Sequence, residues 1–179
     1  MKKLMEKLPR LALIIVSLLS MFMLTGSAHA TPKSYKDAEH GFSFNYPENW
    51  MKADEAIQGP SSVVVYAKPV EKFAANANVI VTAPQNIAQI SRADLESAYE
   101  VLFSNIEMIS FKKEKFQGHT CIIVEYRWTR RGDKIQQKQY LFDVKDKGYS
   151  ITFTALQSNF ANYESAFESI ARSFQLPRA

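Results

Sequence analysis

The sequence predicts an α+β domain in which helices cover a mainly antiparallel sheet. Its second half carries three consecutive strand-like runs, at residues 119–131, 138–145 and 149–156, separated only by short turn sequences. Hydrophobic residues switch to helical spacing twice, at residues 91–108 and again at 160–174. Strands joined by tight turns pair antiparallel, and a helix with one apolar stripe buries it against a neighbouring layer. Composition permits such a core. Aromatic residues make up 12% of the chain and charged residues 22%, which excludes a disordered tail.

The chain opens on an export signal. Met1–Arg10 is basic, Leu11–Leu24 (LALIIVSLLSMFML) is apolar, and Ala28-His29-Ala30 is the small-x-small pattern that a signal peptidase accepts. The alternative is a membrane anchor, but a helix over that apolar run reaches only about 21 Å of the ~30 Å hydrocarbon core. Cleavage after Ala30 leaves residues 31–179, one domain by length and long enough to bury a core without disulfides or a structural metal. Leu24-Thr25-Gly26-Ser27 is similar to a bacterial lipoprotein box with serine where the lipid-bearing cysteine stands. Neither a lipid anchor nor a stable transmembrane anchor is therefore expected in the exported protein, whose place is periplasmic or extracellular, peripheral to a membrane at most.

Charge narrows the partners. Lys2, Lys3, Lys7 and Arg10 against Glu6 account for +3 of the formal +4, leaving 18 basic and 17 acidic side chains beyond residue 30. A nearly neutral domain argues against nucleic acid as a partner.

Residues 31–40 read as a flexible segment and residues 41–179 as the domain. Gly41–Tyr46 (GFSFNY) alternates aromatic and polar residues as a short strand closed by Pro47, after which Trp50 tucks back over the core. Ser62–Lys68 and Asn78–Ala83 are β-branched runs, apolar enough on both faces to be central strands covered on both sides. Over Ser91–Met108, Leu95, Tyr99, Leu102 and Ile106 form one helical stripe, opened by a Ser91/Asp94 capping pair. His119–Arg131 places Ile122, Val124, Tyr126 and Trp128 on one face, with Glu125 and Arg127 on the other. After a turn at Arg131–Lys134 come Tyr140, Phe142 and Val144. After a second, at Asp146–Gly148, come Tyr149, Ile151, Phe153 and Ala155. These strands should form a meander with one aromatic face, matched by a closing helix with Phe160, Tyr163, Phe167, Ile170 and Phe174 that stops before Pro177.

Certain residues within this order are less generic. Gly41-Phe42-Ser43-Phe44 with Pro47 and Trp50, then Gly118, Tyr126, Gly132, Tyr140, Gly148-Tyr149 and Ser173-Phe174, form an ordered set from Gly41 to Leu176. The set resembles the PsbP-like superfamily, which includes PsbP of the oxygen-evolving complex and the DcrB envelope proteins. The resemblance implies an α/β/α sandwich around a mainly antiparallel sheet, without a catalytic centre or cofactor. It also implies a docking role on an envelope or membrane-associated protein. As an alternative it implies an extrinsic subunit of photosystem II that helps retain calcium and chloride.

Residue chemistry offers few sites. Asp37, Glu39 and His40 include metal-ligating types, but a site needs three or four ligands converging from fixed elements, so a solvated turn is the competing reading and no metal is expected. Cys121, the only cysteine, sits in the apolar run Cys121–Val124 and reads as a buried strand thiol; a reactive thiol is the alternative. His119 and Cys121 share a strand side ~6.6–6.8 Å apart, too far for a direct thiolate–imidazolium pair. A small hydrolase or thiol enzyme is thus the minority reading, and no catalytic residue is assigned. Arg127, Arg130, Arg131 and Lys134 cluster around one hairpin, and Lys112, Lys113 and Lys115 form a second basic run. The hairpin is the candidate surface for an acidic partner or an anionic headgroup, against the alternative that basic residues at edges and turns only deter sheet-to-sheet aggregation.

Overall fold

The computed structural model describes residues 31–177; the expected signal, including Ala28 and Ala30, lies outside the described residues. In chain order the elements are β1 (Lys33–Lys36), β2 (Ser43–Tyr46), β3 (Met51–Lys52), β4 (Val63–Tyr66), β5 (Asn76–Thr82), α1 (Arg92–Leu102), β6 (Ser104–Phe116), β7 (His119–Arg130), β8 (Asp133–Val144), β9 (Lys147–Leu156) and α2 (Phe160–Ser173). Seven strands form one sheet in the order β3-β4-β5-β9-β8-β7-β6, antiparallel throughout, while β1 and β2 pair as a separate ribbon.

The sheet is covered unequally. On one face α2 and the β1–β2 ribbon enclose the larger core, with Phe42, Phe44, Trp50, Phe142, Ile151, Phe153, Phe167 and Phe174 buried together. On the other face α1 packs Leu95 and Tyr99 onto Ile122, Val124, Tyr126 and Leu141. An α/β/α sandwich results, each helical layer being a single helix. No helix among the described residues is long and apolar enough to cross a membrane.

Several local expectations are corrected. Residues 31–40 are not a free segment. Lys33–Lys36 pairs with β2 in register Lys33↔Tyr46 to Lys36↔Ser43, because Tyr35 can pack its ring 5.5 Å from that of Phe44. The helix expected to reach Met108 stops at Leu102, and Phe103 is already extended at φ −126°, ψ 137°. Ser104 and Asn105 are poor helix formers, and the residues from Ser104 onward pair with β7, through two register shifts before Ser110, so Ile106 belongs to β6 and Leu102 is left largely exposed.

The meander does not present one common face. Cys121 and Ile123 stand opposite Phe142 and Tyr140, so they share the α2 side, which turns Ile122, Val124, Tyr126 and Trp128 to the α1 side. An alternation read strand by strand gives two faces but not which one is shared across strands; pairing register decides that. β4 and β5 are buried on one face and half-exposed on the other, since α1 lies over the opposite end of the sheet. The β8–β9 turn is Lys145-Asp146, closed by Val144↔Lys147, and Gly148 already lies within β9. A Cβ there would sit 2.7 Å from the Ala83 carbonyl oxygen, so the close approach of the chain after β5 requires glycine.

Candidate functional site: a basic hairpin and a polar groove

The β7–β8 hairpin holds the basic cluster. Arg131 (φ 51°) and Gly132 (φ 93°) form its two-residue turn, closed by Arg130↔Asp133. Two consecutive positive φ values are what a right-twisted hairpin needs at its tip. The long ladder beneath makes this a rigid carrier.

The four expected site residues do not converge on one face. Arg127 and Lys134 share the α2 side of the hairpin, Arg130 belongs with Trp128 and Ile135 on the α1 side, and Arg131 occupies the turn. Arg127 is largely committed. Its Nε donates to Gln136 Oε1 at 3.1 Å, its Nη1 lies 3.8 Å from Glu107, and Gln136 in turn donates to Glu125. Arg130, Arg131 and Lys134 are exposed, and none has a carboxylate within salt-bridge distance among the described residues. The second basic run lies on β6, the sheet edge, where Lys113 donates to the Ala88 carbonyl and Lys115 to the Thr120 hydroxyl.

The other candidates serve the fold. Asp37 Oδ1 accepts from the backbone N–H groups of Glu39 and His40, at 3.1 and 2.6 Å, and Oδ2 accepts from the Tyr35 hydroxyl. That carboxylate therefore closes a turn, and His40 Nδ1 lies 3.2 Å from the Lys147 ammonium. Among the described residues no group of three or more His, Cys, Asp or Glu is placed to hold a metal ion. Cys121 is fully buried, and desolvation pushes its thiol up to about 12, the opposite of an activated nucleophile.

Where α1 does not reach, the sheet carries a groove of about 270 Å³. Thr154 and Gln137 form its floor, Trp128 and Arg130 one wall, and Asn76 and Asn78 the other. Hydrogen bonds fix this lining. Trp128 Nε1 donates to Gln137 Oε1 at 2.8 Å, and Gln137 Nε2 donates to the Thr154 hydroxyl at 2.9 Å. Asn76 donates to the Ala74 carbonyl and Asn78 to Ser61 Oγ. Nothing in sequence composition marks these residues as a set. The available signal is period-two alternation of amides and hydroxyls with core residues: Asn76 and Asn78 around Ala77, Thr152 and Thr154 around Phe153, and Gln137 in β8. A second cleft, about 470 Å³, lies between α1 and the sheet and is walled by Ile80, Ile87, Leu95 and Leu141.

Comparison with known proteins places this architecture. A family model described as PsbP matches residues 30–176. CyanoP of Synechocystis sp. is 24% identical over 183 residues, covering 92% of this chain and 95% of CyanoP. The solution structure of that cyanobacterial PsbP superposes with a TM-score of 0.60 at 19% identity, over 84% of this chain and 95% of the other. LpqN of Mycobacterium tuberculosis, described as involved in cell envelope biogenesis, gives 0.63 at 10% identity, over 83% and 91% of the two chains. With the family model spanning nearly every described residue and the fold shared with CyanoP, the chain belongs to the PsbP family.

Proposed function

We propose that this chain is an exported accessory protein that docks on an envelope or membrane-associated protein through the tip of its β7–β8 hairpin. The observation that carries the reading is the set Arg130, Arg131 and Lys134, exposed and, among the described residues, without ion-pair partners at the end of a rigid ribbon. Guanidinium groups grip carboxylates bidentately, which supplies orientation as well as attraction. The description of LpqN in cell envelope biogenesis supports an envelope setting. The Ala28-His29-Ala30 pattern supports cleavage after Ala30, with Thr31 as the first residue of the exported protein.

The test is affinity capture from the host's own membranes with wild type and an Arg130→Glu/Arg131→Glu double variant, at low and high salt. The expected result is normal folding, a several-fold loss of one specific partner in the variant, and salt-weakened recovery of it by the wild type, since exposed charges more than ~8 Å apart are screened at physiological ionic strength. Equal, salt-insensitive recovery by both proteins overturns the hairpin as the docking surface. The likeness to CyanoP favours a second reading, an extrinsic subunit of photosystem II; capture of photosystem components would decide for it.

A further inference from the structure

We propose that the groove beside Trp128 is a binding site for an acidic sugar: a hydroxylated six-membered ring bearing a carboxylate, free or as one unit of a glycan. The chemistry of the lining selects this class. Asn76 and Asn78 each use an amide N–H internally, at 2.9 and 3.1 Å, which leaves their carbonyl oxygens to accept from ligand hydroxyls. Gln137 keeps one N–H, and Thr154, whose oxygen accepts from Gln137, keeps its hydroxyl proton to donate. A sugar hydroxyl both donates and accepts, so it is the partner that a mixed lining satisfies.

Trp128 supplies the apolar element. Phe103 backs its ring at 4.7 Å between centroids, and Gln137 pins its Nε1, so the indole is a fixed wall against which the C–H face of a sugar ring can stack. Size agrees: about 270 Å³ lies just below the ~300–1,000 Å³ of drug-sized sites and suits one ring. Charge gives the substituent. Among the described residues the groove is lined by no acidic side chain, and its one charged group, Arg130, has no carboxylate within salt-bridge distance. A guanidinium beside hydroxyl-matching amides specifies a carboxylate on the ring.

The site goes beyond the docking role. It shares Arg130 with that surface but otherwise uses other residues, and it is tested on purified protein with no partner present. Glucuronate, methyl glucoside and acetate are titrated separately into the protein while Trp fluorescence and backbone amide shifts are followed. Glucuronate should saturate and perturb the amides of Asn76, Asn78 and Trp128, methyl glucoside should bind at least tenfold more weakly, and acetate should leave these amides unmoved. Arg130→Gln, an exposed change, should bring glucuronate down to the methyl glucoside level without altering the latter. Asn78→Ala should weaken both sugars. Absence of saturable glucuronate binding overturns the proposal. Equal response to acetate overturns it too, by reducing the site to a bare cation. Loss of partner capture with sugar binding intact, or the reverse, separates failure of the docking role from failure of this one.

Discussion

Cys121 illustrates how burial decides chemistry for a single residue. Its side is shared with Phe142 and Tyr140 on β8, and its Sγ donates weakly to the Ile122 carbonyl oxygen at 3.5 Å. Desolvation favours the neutral thiol, so alkylation of native protein at pH 7 should be slow and should follow unfolding. Cys121→Ser should destabilise by about 1–3 kcal/mol, because a hydroxyl there replaces a weakly polar group in an apolar site. Thiol-reagent kinetics with and without denaturant, and urea melts of the variant, check both. Fast labelling of the native state would contradict the burial. The buried thiol was legible from the run Cys121–Val124. The division of the basic cluster was not, since Arg127 meets Gln136 and Glu107 only through registers that bring separate strands together.

At the scale of elements, the two helices are held very differently. α2 buries Phe160, Phe167, Ile170 and Ala171, with Phe167 5.2 Å from Phe153 and 6.1 Å from Trp50 between ring centroids. α1 buries only Leu95 and Tyr99 and depends on its N-terminus, where Ser91 and Asp94 form a reciprocal capping box. Phe167→Ala should therefore cost about 3–5 kcal/mol, whereas the solvent-side Glu164→Ala should change stability by no more than about 0.5. Equal effects in equilibrium unfolding would mean that the aromatic stripe does not face the sheet. Both helices and the meander were readable because period and turn chemistry are local properties. β6 was hidden, since Leu102 and Ile106 continue the helical period of Leu95 and Tyr99 past the point where the helix ends. The pairing with β7 that overrides it is a tertiary event. β1 escaped for the same reason: Lys33–Lys36 carries little strand signal until β2 lies beside it.

The molecule as a whole sets how it responds to alkali and how its chain closes. Burial raises the phenols of Tyr35 and Tyr140 to about 12 from an ordinary 10.0, and pushes those of Tyr99 and Tyr126 further up, while Cys121 rises from 9.0. The unfolded chain loses these protons first, so the stability they contribute is complete below about pH 9 and drains away as pH climbs toward the folded values. Urea midpoints should hold steady from pH 7 to 9 and fall between 9 and 12, with phenolate absorbance appearing together with unfolding. A flat profile to pH 11 would show that the rings are wet. A separate consequence follows from the ribbon. Ser43 exchanges both backbone hydrogen bonds with Gln175, Ser173 Oγ meets the backbone of Asn45, and Phe174 stacks on Phe42 at 5.3 Å. The β1–β2 ribbon is thus clasped by the residues that follow α2, so two segments far apart in sequence hold each other in place: whatever loosens Ser173, Phe174 and Gln175 also unfastens the ribbon from the larger core.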